Sequence, residues 1–406
     1  MPAATPGTPS LLRAMNDRAA LELLLAHGPL SRTRIGHLTG LSKPTASQLL
    51  ARLEAAGLVV ATGTDGGRPG PNAQLYALNA RVAHVGGLDV TPERTRAAVA
   101  DLTGAIVGTY ELPHTAGGSA VDQVTEALDG AVKAAGRQRS DLHRLVIGTP
   151  GAFDPQTGLL RYAGHLPGWH SPTLLDELAA ALPMPVEYEN DVNLAAVAEQ
   201  RLGAAQGHED FVLLWNEEGL GAALVLGGRL HRGWTGGAGE VGYLPVPGHP
   251  LVRQVTRANS GGYQELAGVQ VLPRLAAELG IAPGPLPAPD APHGPQVQTA
   301  VTLLAAAAAE PEGAYLHLLR SYATGLATGL AALVAVLDPE IVVLSGAVIT
   351  AGGEPLRGLL EAELAELAPS RPQLVIGRVT DLPVLRGALE SALAVTRDEV
   401  FDTSRR

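Results

Sequence analysis

Hydrophobic positions at the N-terminal end of the chain recur with the spacing of short helices. Residues 11–27 repeat leucine, methionine and alanine every three or four positions, which predicts an amphipathic helix. Ser31 and Ser42 each stand before a further helical segment, where serine is a preferred N-cap. Gly40 separates these two segments, and Pro44 suits the first turn of the second. We therefore expect three helices, the last two in helix-turn-helix spacing.

A hairpin pattern follows the three predicted helices. Residues 57–60 and 73–78 read as strands, and a glycine-rich turn at 65–70 separates them. Arg68 lies at the tip of this turn. A hairpin placed behind a helix-turn-helix is a wing, so the sequence predicts a winged helix-turn-helix domain over residues 1–80.

From residue 83 the pattern changes to short apolar strands separated by helices. This alternation predicts an α/β body over residues 81–406. The predicted strands are 84–90, 94–102, 105–112, 145–148, 185–188, 211–215 and 220–226, with a helix at 120–135. A proline-rich stretch at 281–296 predicts a surface loop, and the alanines at 305–309 predict a helix interior.

Composition narrows the possible chemistry. The chain has 406 residues and no cysteine, which excludes disulfides, thiolate zinc sites, iron-sulfur clusters and cysteine nucleophiles. Residues 1–10 lack the basic flank and apolar core of a secretory signal, so we expect a cytoplasmic protein. The most apolar stretch, 322–337, has 16 residues, fewer than the roughly 20 of a membrane helix. We expect it to be a buried helix, with no membrane partner.

Charge is distributed unevenly. The first 80 residues carry seven basic and four acidic side chains, a net charge of +3, so the remainder carries −14. A basic head on an acidic body predicts that the head alone meets a polyanion such as operator DNA. The third predicted helix begins with short donors and acceptors that suit phosphates and base edges. The candidate DNA-binding residues are Ser42, Lys43, Thr45, Ser47, Gln48 and Arg68. Because one such head neutralises few phosphates, we expect a homodimer or tetramer on double-stranded DNA.

Several short motifs resemble the ROK family (repressor, open reading frame, kinase). In the head they are Leu-Thr-Gly-Leu-Ser-Lys-Pro-Thr at 38–45 and Gly-Arg-Pro at 67–69. In the body they are Gly-Thr-Pro-Gly at 148–151, Glu-Asn-Asp-Val-Asn at 189–193 and Gly-Ala-Gly-Glu-Val-Gly at 237–242. The resemblance of the body runs from about residue 83 to 397. It implies a two-lobed, actin-like fold of the sugar-kinase type behind the winged helix.

The resemblance also implies a sugar pocket. Its candidate residues are Gly151, Asn190, Asp191, Glu240, Tyr243 and Glu265. Sugar hydroxyls both donate and accept hydrogen bonds, so an amide beside carboxylates can hold a monosaccharide or a derivative of one. In the family's kinases the aspartate at the place of Asp191 acts as the general base. The alternative for Asn190 and Asp191 is a helix N-cap without a ligand.

Two departures from the family pattern bear on activity. Where the kinases have a glycine-rich phosphate loop, this chain has Asp89–Glu93, in which Pro92 offers no N–H group. The second phosphate loop carries Glu217 and Glu218, whose charges at contact range of phosphates would cost several kcal/mol. Tyr243 stands at the histidine position of the family's zinc site, and the cysteines are missing. We therefore expect no enzymatic activity, no cofactor and no metal.

Three functions remain compatible with the sequence. The first is a transcriptional regulator, most simply a repressor, whose operator affinity responds to a sugar and whose body has lost phosphotransfer. The second is a ROK sugar kinase with a fused DNA-binding head. The third is a DNA-binding protein whose pocket residues serve only structure. ATP turnover separates the first two, and sugar binding separates the third.

Overall fold

The computed structural model describes residues 9–65, 73–114, 118–161, 163, 166, 168–253, 261–282 and 294–405. The N-terminal head contains three helices and a small antiparallel sheet in the order β1-β3-β2. Its elements are α1 Pro9–His27, β1 Leu30–Ser31, α2 Arg32–Thr39, α3 Lys43–Ala55, β2 Val59–Asp65 and β3 Ala73–Leu78. Ser31 and Ser42 cap α2 and α3 as predicted. Gly40 has a φ of 71°, the left-handed conformation that favours glycine. The turn that carries Arg68 lies outside the described residues.

The first lobe of the body is a five-stranded mixed sheet in the order β10-β7-β4-β5-β6. Its elements are β4 His84–Val90, β5 Arg94–Asp101, β6 Ile106–Pro113, α4 Ala120–Ala134, β7 Leu142–Thr149, β8 Ala152–Phe153, β9 Leu160–Arg161, α5 Leu174–Ala181 and β10 Val186–Asn190. Helices α4 and α5 cover one face of this sheet. Strands β4, β7 and β10 run parallel, so their carboxyl ends meet at one edge.

The second lobe is also a five-stranded sheet, in the order β13-β12-β11-β14-β15. Its elements are β11 Phe211–Asn216, β12 Leu220–Leu226, β13 Arg229–Leu230, α7 Gly262–Ala267, α8 Val271–Glu278, α9 Pro295–Ala309, α10 Gly313–Leu337, β14 Ile341–Ser345, α11 Ala347–Leu367 and β15 Gln373–Ile376. Helices α8 to α11 form the large core on one face of the sheet. Most of the proline-rich stretch, 283–293, lies outside the described residues.

Two further helices connect the parts of the molecule. They are α6 Asp191–Leu202 and α12 Pro383–Phe401. Leu194 of α6 packs in the core shared by α12 and the first sheet, whereas Val192 and Ala195 pack in the core of the second lobe. The helix that begins at Asp191 therefore lies between the two lobes.

Helix α10 contains the apolar stretch that the sequence singled out. By length and composition alone it could cross a membrane, and more than half of its most apolar window is buried. Leu318, Tyr322, Leu326 and Leu330 are among its core residues. This burial pattern is that of a core helix, as the sequence analysis expected.

Candidate functional site

The candidate sugar residues gather where β10 ends and α6 begins. Asn190 is the N-cap of α6, because its Oδ1 accepts a hydrogen bond from the backbone N–H of Asn193 at 3.1 Å. Its Nδ2 donates to the carbonyl oxygen of Gly151 and to Oδ1 of Asp191, both at 3.0 Å. The residue that caps the helix is thus Asn190 and not Asp191. Both amide hydrogens of Asn190 are hydrogen-bonded within the protein. Its oxygen has a second lone pair with which it can accept from a hydroxyl.

Asp191 is the most strongly perturbed carboxyl group of this region. Desolvation, helped by the neighbouring carboxylates of Asp89, Glu240 and Glu217, raises its pKa to about 8. The N–H of Val192 donates to Oδ1 of Asp191 at 2.8 Å, and this hydrogen bond lowers the pKa. Below that pKa the carboxyl is neutral, so it can donate as well as accept a hydrogen bond to a sugar hydroxyl.

Gly151 occupies a position that only glycine fits. Its φ is 73°, and a Cβ there would lie 2.1 Å from the carbonyl oxygen of Arg161. Asp154, which follows in the same loop, is buried and forms an ion pair of 2.5 Å with Arg161. This loop is therefore held by its own contacts while Gly151 accepts the hydrogen bond from Asn190.

Glu240, Tyr243 and Glu265 come from the second lobe. Glu240 precedes a one-turn helix, Val241–Tyr243, and burial raises its pKa to about 7. Glu265 lies on α7, and all three side chains are partly exposed. Glu240 is one of the carboxylates that add to the effect of desolvation in raising the pKa of Asp191. Its carboxylate therefore lies close to that residue of the first lobe. The described contacts do not connect Tyr243 or Glu265 to Asp191, so their sugar-binding role remains a prediction.

Helix α7, which ends the stretch at the family's zinc position, is held by packing and hydrogen bonds. Tyr263 is fully buried, and its hydroxyl donates to the carbonyl oxygen of Leu326 at 2.6 Å. Its ring packs on Gly329, where any Cβ would clash with the ring. Gln264 accepts a hydrogen bond from the N–H of Leu220 at 2.7 Å. Sequence analysis missed both roles, although Tyr263 and Gln264 stand directly before the expected Glu265.

Among the described residues, no group of three or more histidine, aspartate or glutamate side chains has a geometry that could hold a metal ion. Residues 254–260, which precede α7, lie outside that range.

We call the space between the two lobes, beside the start of α6, the cleft. Beyond Asn190 and Asp191 it is lined by turns rich in carboxylates. Pro92 lies in the turn between β4 and β5, and its carbonyl oxygen is 3.1 Å from Nδ1 of His114. Burial, and to a smaller extent the charge of Glu93 in the same turn, raises the pKa of Glu218, which lies in the turn of the second lobe. Burial raises the pKa of Asp89, at the end of β4, to about 6. Both lobes thus direct negative charge toward the same space.

Glu217 occupies the N-terminus of a helix. Its Oε1 accepts a hydrogen bond from the N–H of Ala347, the first residue of α11, at 3.2 Å. Gly346, the residue before Ala347, has a φ of 85°. A Cβ at this position would lie 2.6 Å from the carbonyl oxygen of Asn216. Burial raises the pKa of Glu217 to about 7. A helix N-terminus is where an anion such as phosphate binds, and here the protein's own carboxyl group takes one of its N–H donors.

One side chain ties the two lobes together. Glu189 accepts hydrogen bonds at Oε1 from the N–H of Asn190 at 3.0 Å and from Nδ2 of Asn193 at 2.8 Å. Its Oε2 forms an ion pair of 2.6 Å with Nε of Arg232, which comes from the second lobe. Sequence analysis quoted Glu189 only as part of a motif and missed Arg232, because the pairing spans 43 positions.

The candidate DNA-binding residues lie at the start of α3. Ser42 and Thr45 hydrogen-bond each other at 2.8 Å as part of the helix cap. Ser47 donates to the carbonyl oxygen of Lys43 at 2.8 Å and is 3.1 Å from a guanidinium nitrogen of Arg32. The side chains of Lys43, Thr45 and Gln48 are exposed. The structure therefore groups five of the six candidates on one helix and does not describe Arg68.

The head is packed onto the end of the body. Val400 and Phe401, at the end of α12, belong to the core cluster of the head. The buried carboxylate of Asp17 on α1 accepts from Arg52 of α3 at 2.7 Å and from the hydroxyl of Thr403 at 3.3 Å. Arg18 forms an ion pair with Asp398. One carboxylate thus contacts both the helix with the DNA-binding candidates and the last turn of the body.

Helix α12 also lies against α6. The two helices approach so closely at Gly387 that a Cβ there would lie 1.8 Å from the carbonyl oxygen of Leu194. Leu194 is in the first turn after Asp191. A continuous pair of packed helices therefore connects the cleft with the head.

Comparisons with known proteins agree with this architecture. The model of the ROK family matches residues 85–393, and that of the MarR family matches residues 16–68. A glucokinase of Halalkalibacterium halodurans is 29% identical over 280 residues, which are 67% of this chain and 82% of that protein. The xylose repressor of Caldicellulosiruptor bescii is 27% identical over 244 residues, or 59% of this chain and 61% of that protein.

A solved structure resembles nearly the whole chain. It is a ROK family transcriptional regulator described as a homologue of the Escherichia coli MLC protein, with 20% identity and a TM-score of 0.68. The likeness covers 96% of this chain and 97% of that one, and at this identity it shows the fold alone. Because the family model covers most of the chain, this protein belongs to the ROK family and carries a MarR-like winged helix in front of the two-lobed body.

Proposed function

We propose that this chain is a transcriptional regulator, most simply a repressor, whose affinity for operator DNA changes when a sugar or sugar derivative binds between its lobes. In this proposal Ser42, Lys43, Thr45, Ser47, Gln48 and Arg68 contact DNA. Asn190, Asp191, Gly151, Glu240, Tyr243 and Glu265 surround the sugar. The body binds its ligand without transferring phosphate.

The observation that carries the loss of phosphotransfer is the position of Glu217. Its carboxyl group takes the first N–H of α11. The resemblance to the family's kinases implies that this turn, residues 345–348, would face the nucleotide. A phosphate arriving there would have to displace this group and would also meet Glu218 and Glu93. Pro92 removes one backbone donor from the facing loop. These four residues support binding of a sugar without turnover of ATP.

The connection between cleft and head supports a ligand response. A sugar changes DNA affinity only if it binds one conformation of the body better than another. Closure of the lobes would move α6, since that helix lies between them, and α12 packs on α6 at Gly387. The other end of α12 contributes Val400 and Phe401 to the core of the head. A shift of α12 would therefore reach α3 through Asp17 and Arg52.

A kinase with a DNA-binding head is the second candidate. Asp191 favours it, because a carboxylate with a pKa near 8 beside a sugar hydroxyl suits a general base. The similarity to a glucokinase favours it as well. Under either function, we place the boundary between head and body at residues 80 and 81, expect a homodimer or tetramer, and expect a cytoplasmic location.

The test is operator binding titrated with sugar beside a coupled ATPase assay. Full-length protein first selects its binding site from a random duplex library. Binding to that duplex is then measured with glucose, xylose and their disaccharides, because the two relatives are a glucokinase and a xylose repressor. Lys43→Ala combined with Gln48→Ala serves as the control that loses DNA binding.

The expected result is a sugar-dependent change in DNA affinity with no release of ADP. Sugar-dependent ADP release would overturn the regulator in favour of the kinase. DNA binding that ignores every sugar, together with no sugar binding by calorimetry, would leave a DNA-binding protein without a small ligand.

A further inference from the structure

A tryptophan stands out on the surface of the second lobe. Trp234 is 80% exposed, whereas the other two tryptophans, Trp169 and Trp215, are 1% and 6% exposed. A fully solvated indole loses the benefit of burying a large apolar surface. An isolated exposed aromatic is unremarkable by itself, so its position in the fold decides what it can do.

Trp234 lies on a closed loop that crosses from the second lobe to the first. The loop begins after β13 and closes at its base, where the N–H of Ala238 donates to the carbonyl oxygen of Arg232 at 3.1 Å. Its tip touches the first lobe: a Cβ on Gly236 would lie 3.2 Å from the Cβ of Ala152. Ala152 directly follows Gly151, the residue that accepts the hydrogen bond of Asn190.

The base of the loop is anchored at the same place. Arg232 forms the 2.6 Å ion pair with Glu189, whose other oxygen holds Asn190 and Asn193. Trp234 stands two residues from each anchor, so its backbone is within about 7 Å of both anchoring residues. The exposed indole is therefore tethered at the rim of the cleft that contains Asn190 and Asp191.

A cavity of about 260 Å³ lies at the base of the loop. Arg232 is its lining residue from the loop, and the others are Val146, Glu187, Tyr188, Glu189 and Ser391. A pyranose ring has an apolar C–H face that packs on the face of an indole, while its hydroxyls need charged or amide partners at the edge. The loop carries an exposed indole two residues from Arg232, whose guanidinium lines this cavity together with two carboxylates.

We propose that Trp234 is the platform for the second ring of a disaccharide, so that the effector of this cleft is a disaccharide or larger glycoside rather than a single pyranose. The inference rests on the sugar-responsive function proposed above. The first ring occupies the site of Asn190 and Asp191, and the second extends past Gly151 onto the indole. The loop holds the backbone of Trp234 in place before binding, which limits the entropy lost when the ligand stacks.

Tryptophan fluorescence tests the placement directly. Because Trp169 and Trp215 are buried, iodide quenching of the full-length protein reports mainly on Trp234. We expect cellobiose, maltose or xylobiose to protect the indole from iodide and to shift its emission to shorter wavelength. Glucose and xylose, which fill only the first ring site, are expected to leave quenching unchanged.

Calorimetry with matched variants tests the energy. Trp234→Ala should weaken binding of the best disaccharide by roughly tenfold and leave its monosaccharide unaffected. Trp234→Phe should recover part of the loss. Val336→Ala removes a side chain with the same exposure, 82%, at the end of α10 and should change neither affinity.

Each other outcome has a defined meaning. If the wild type and Trp234→Ala bind the disaccharide with equal affinity, and likewise the monosaccharide, the inference is overturned while the sugar-binding function stays intact. An equal loss of both affinities would also overturn it, because the indole would then act on the first ring or on the loop. A Trp234→Ala variant that loses self-association and keeps all sugar affinities would assign the indole to a contact between copies. Failure of every probe to bind would instead refute the proposed function itself.

Discussion

The two ends of the interlobe cleft have diverged from the family pattern to different degrees. At the sugar end, where the sugar is proposed to bind, Asn190 donates to the carbonyl oxygen of Gly151 and to Oδ1 of Asp191. At the phosphate end, Pro92 has replaced a donor and Glu217 has taken the N-terminus of α11. Under the proposed function, the cleft has lost the partner of one half while the other half keeps its own, because each half is built on separate strand ends.

The phosphate end should make stability depend on pH. Burial raises the pKa of Glu217 from 4.5 to about 7, so the native state holds a proton that the unfolded state releases. Its contribution is full below about pH 4.5 and is lost as the pH rises through about 7. Glu217→Gln keeps the acceptor for Ala347 and removes the titration. In the wild type the free energy of unfolding falls between pH 4.5 and 7. In the variant this fall should be smaller by about 3 kcal/mol, as measured by urea denaturation.

The control for that measurement is Glu278→Gln, an exposed carboxylate on α8. It should keep the wild-type pH dependence. If Glu217→Gln also keeps the full wild-type slope, the carboxyl of Glu217 is ionised in the native state and the two ends of the cleft do not differ in this way.

The sugar end should respond to loss of Asp191. Asp191→Ala leaves sugar hydroxyls unpaired in the pocket, which should cost about 1–3 kcal/mol, or ten- to hundredfold in affinity. Calorimetry with the tightest-binding member of glucose, xylose, cellobiose and xylobiose measures it. Without sugar, DNA affinity should stay unchanged, and correspondingly more sugar should be needed to alter it.

The matched change at the phosphate end is Glu218→Ala, which should leave sugar affinity at its wild-type value. Equal losses in Asp191→Ala and Glu218→Ala would show that the sugar lies between the two ends. An unaltered affinity in Asp191→Ala would remove that residue from the pocket.

Variants of the head should separate base reading from ligand binding. Gln48→Ala should reduce discrimination between operator sequences by about 1–2 kcal/mol. Arg68→Ala should weaken binding to all sequences and reduce the salt slope by about 1. Both are measured by binding to matched and mismatched duplexes over a salt series. Sugar affinity should change in neither, and equal losses of specificity from both variants would contradict the assignment.

The smallest expected effect is that of a metal chelator. Since Tyr263 and Gln264 hold α7, which carries Glu265, the protein should keep its melting temperature when EDTA is added. Elemental analysis should find no stoichiometric zinc. About one zinc per chain, together with a chelator-induced drop in melting temperature, would contradict this expectation.

Local features of these sites could be predicted from the sequence. Ser31, Ser42 and Asn190 each cap the helix that follows them, since a cap involves residues only three positions apart. Strands β3 and β4 have the predicted bounds because their hydrophobic pattern and flanking turns agree. The family motifs also brought Gly151 and Asp191 to one site.

Long-range partners could not be predicted. The sequence analysis read Glu217 only as a repulsive charge, because its partner at Ala347 is 130 positions away. Arg232 and Glu189 meet only after both lobes have formed. The interlobe position of α6 depends on how two sheets share one helix, which no local pattern reveals. Such pairings follow from topology rather than from hydrophobic spacing.

The packing of Val400 and Phe401 into the head has a consequence for the order of synthesis. Thr403 lies 386 positions after its partner Asp17. At about 5–20 residues per second, a ribosome reaches it roughly 16 to 65 s after residue 80, where the head ends. During that interval the head lacks two side chains of its core, so its full stability arrives only with the end of α12. Nascent chains stopped before residue 400 would therefore present an incompletely packed head, which delays competent DNA binding until the two-lobed body is already built.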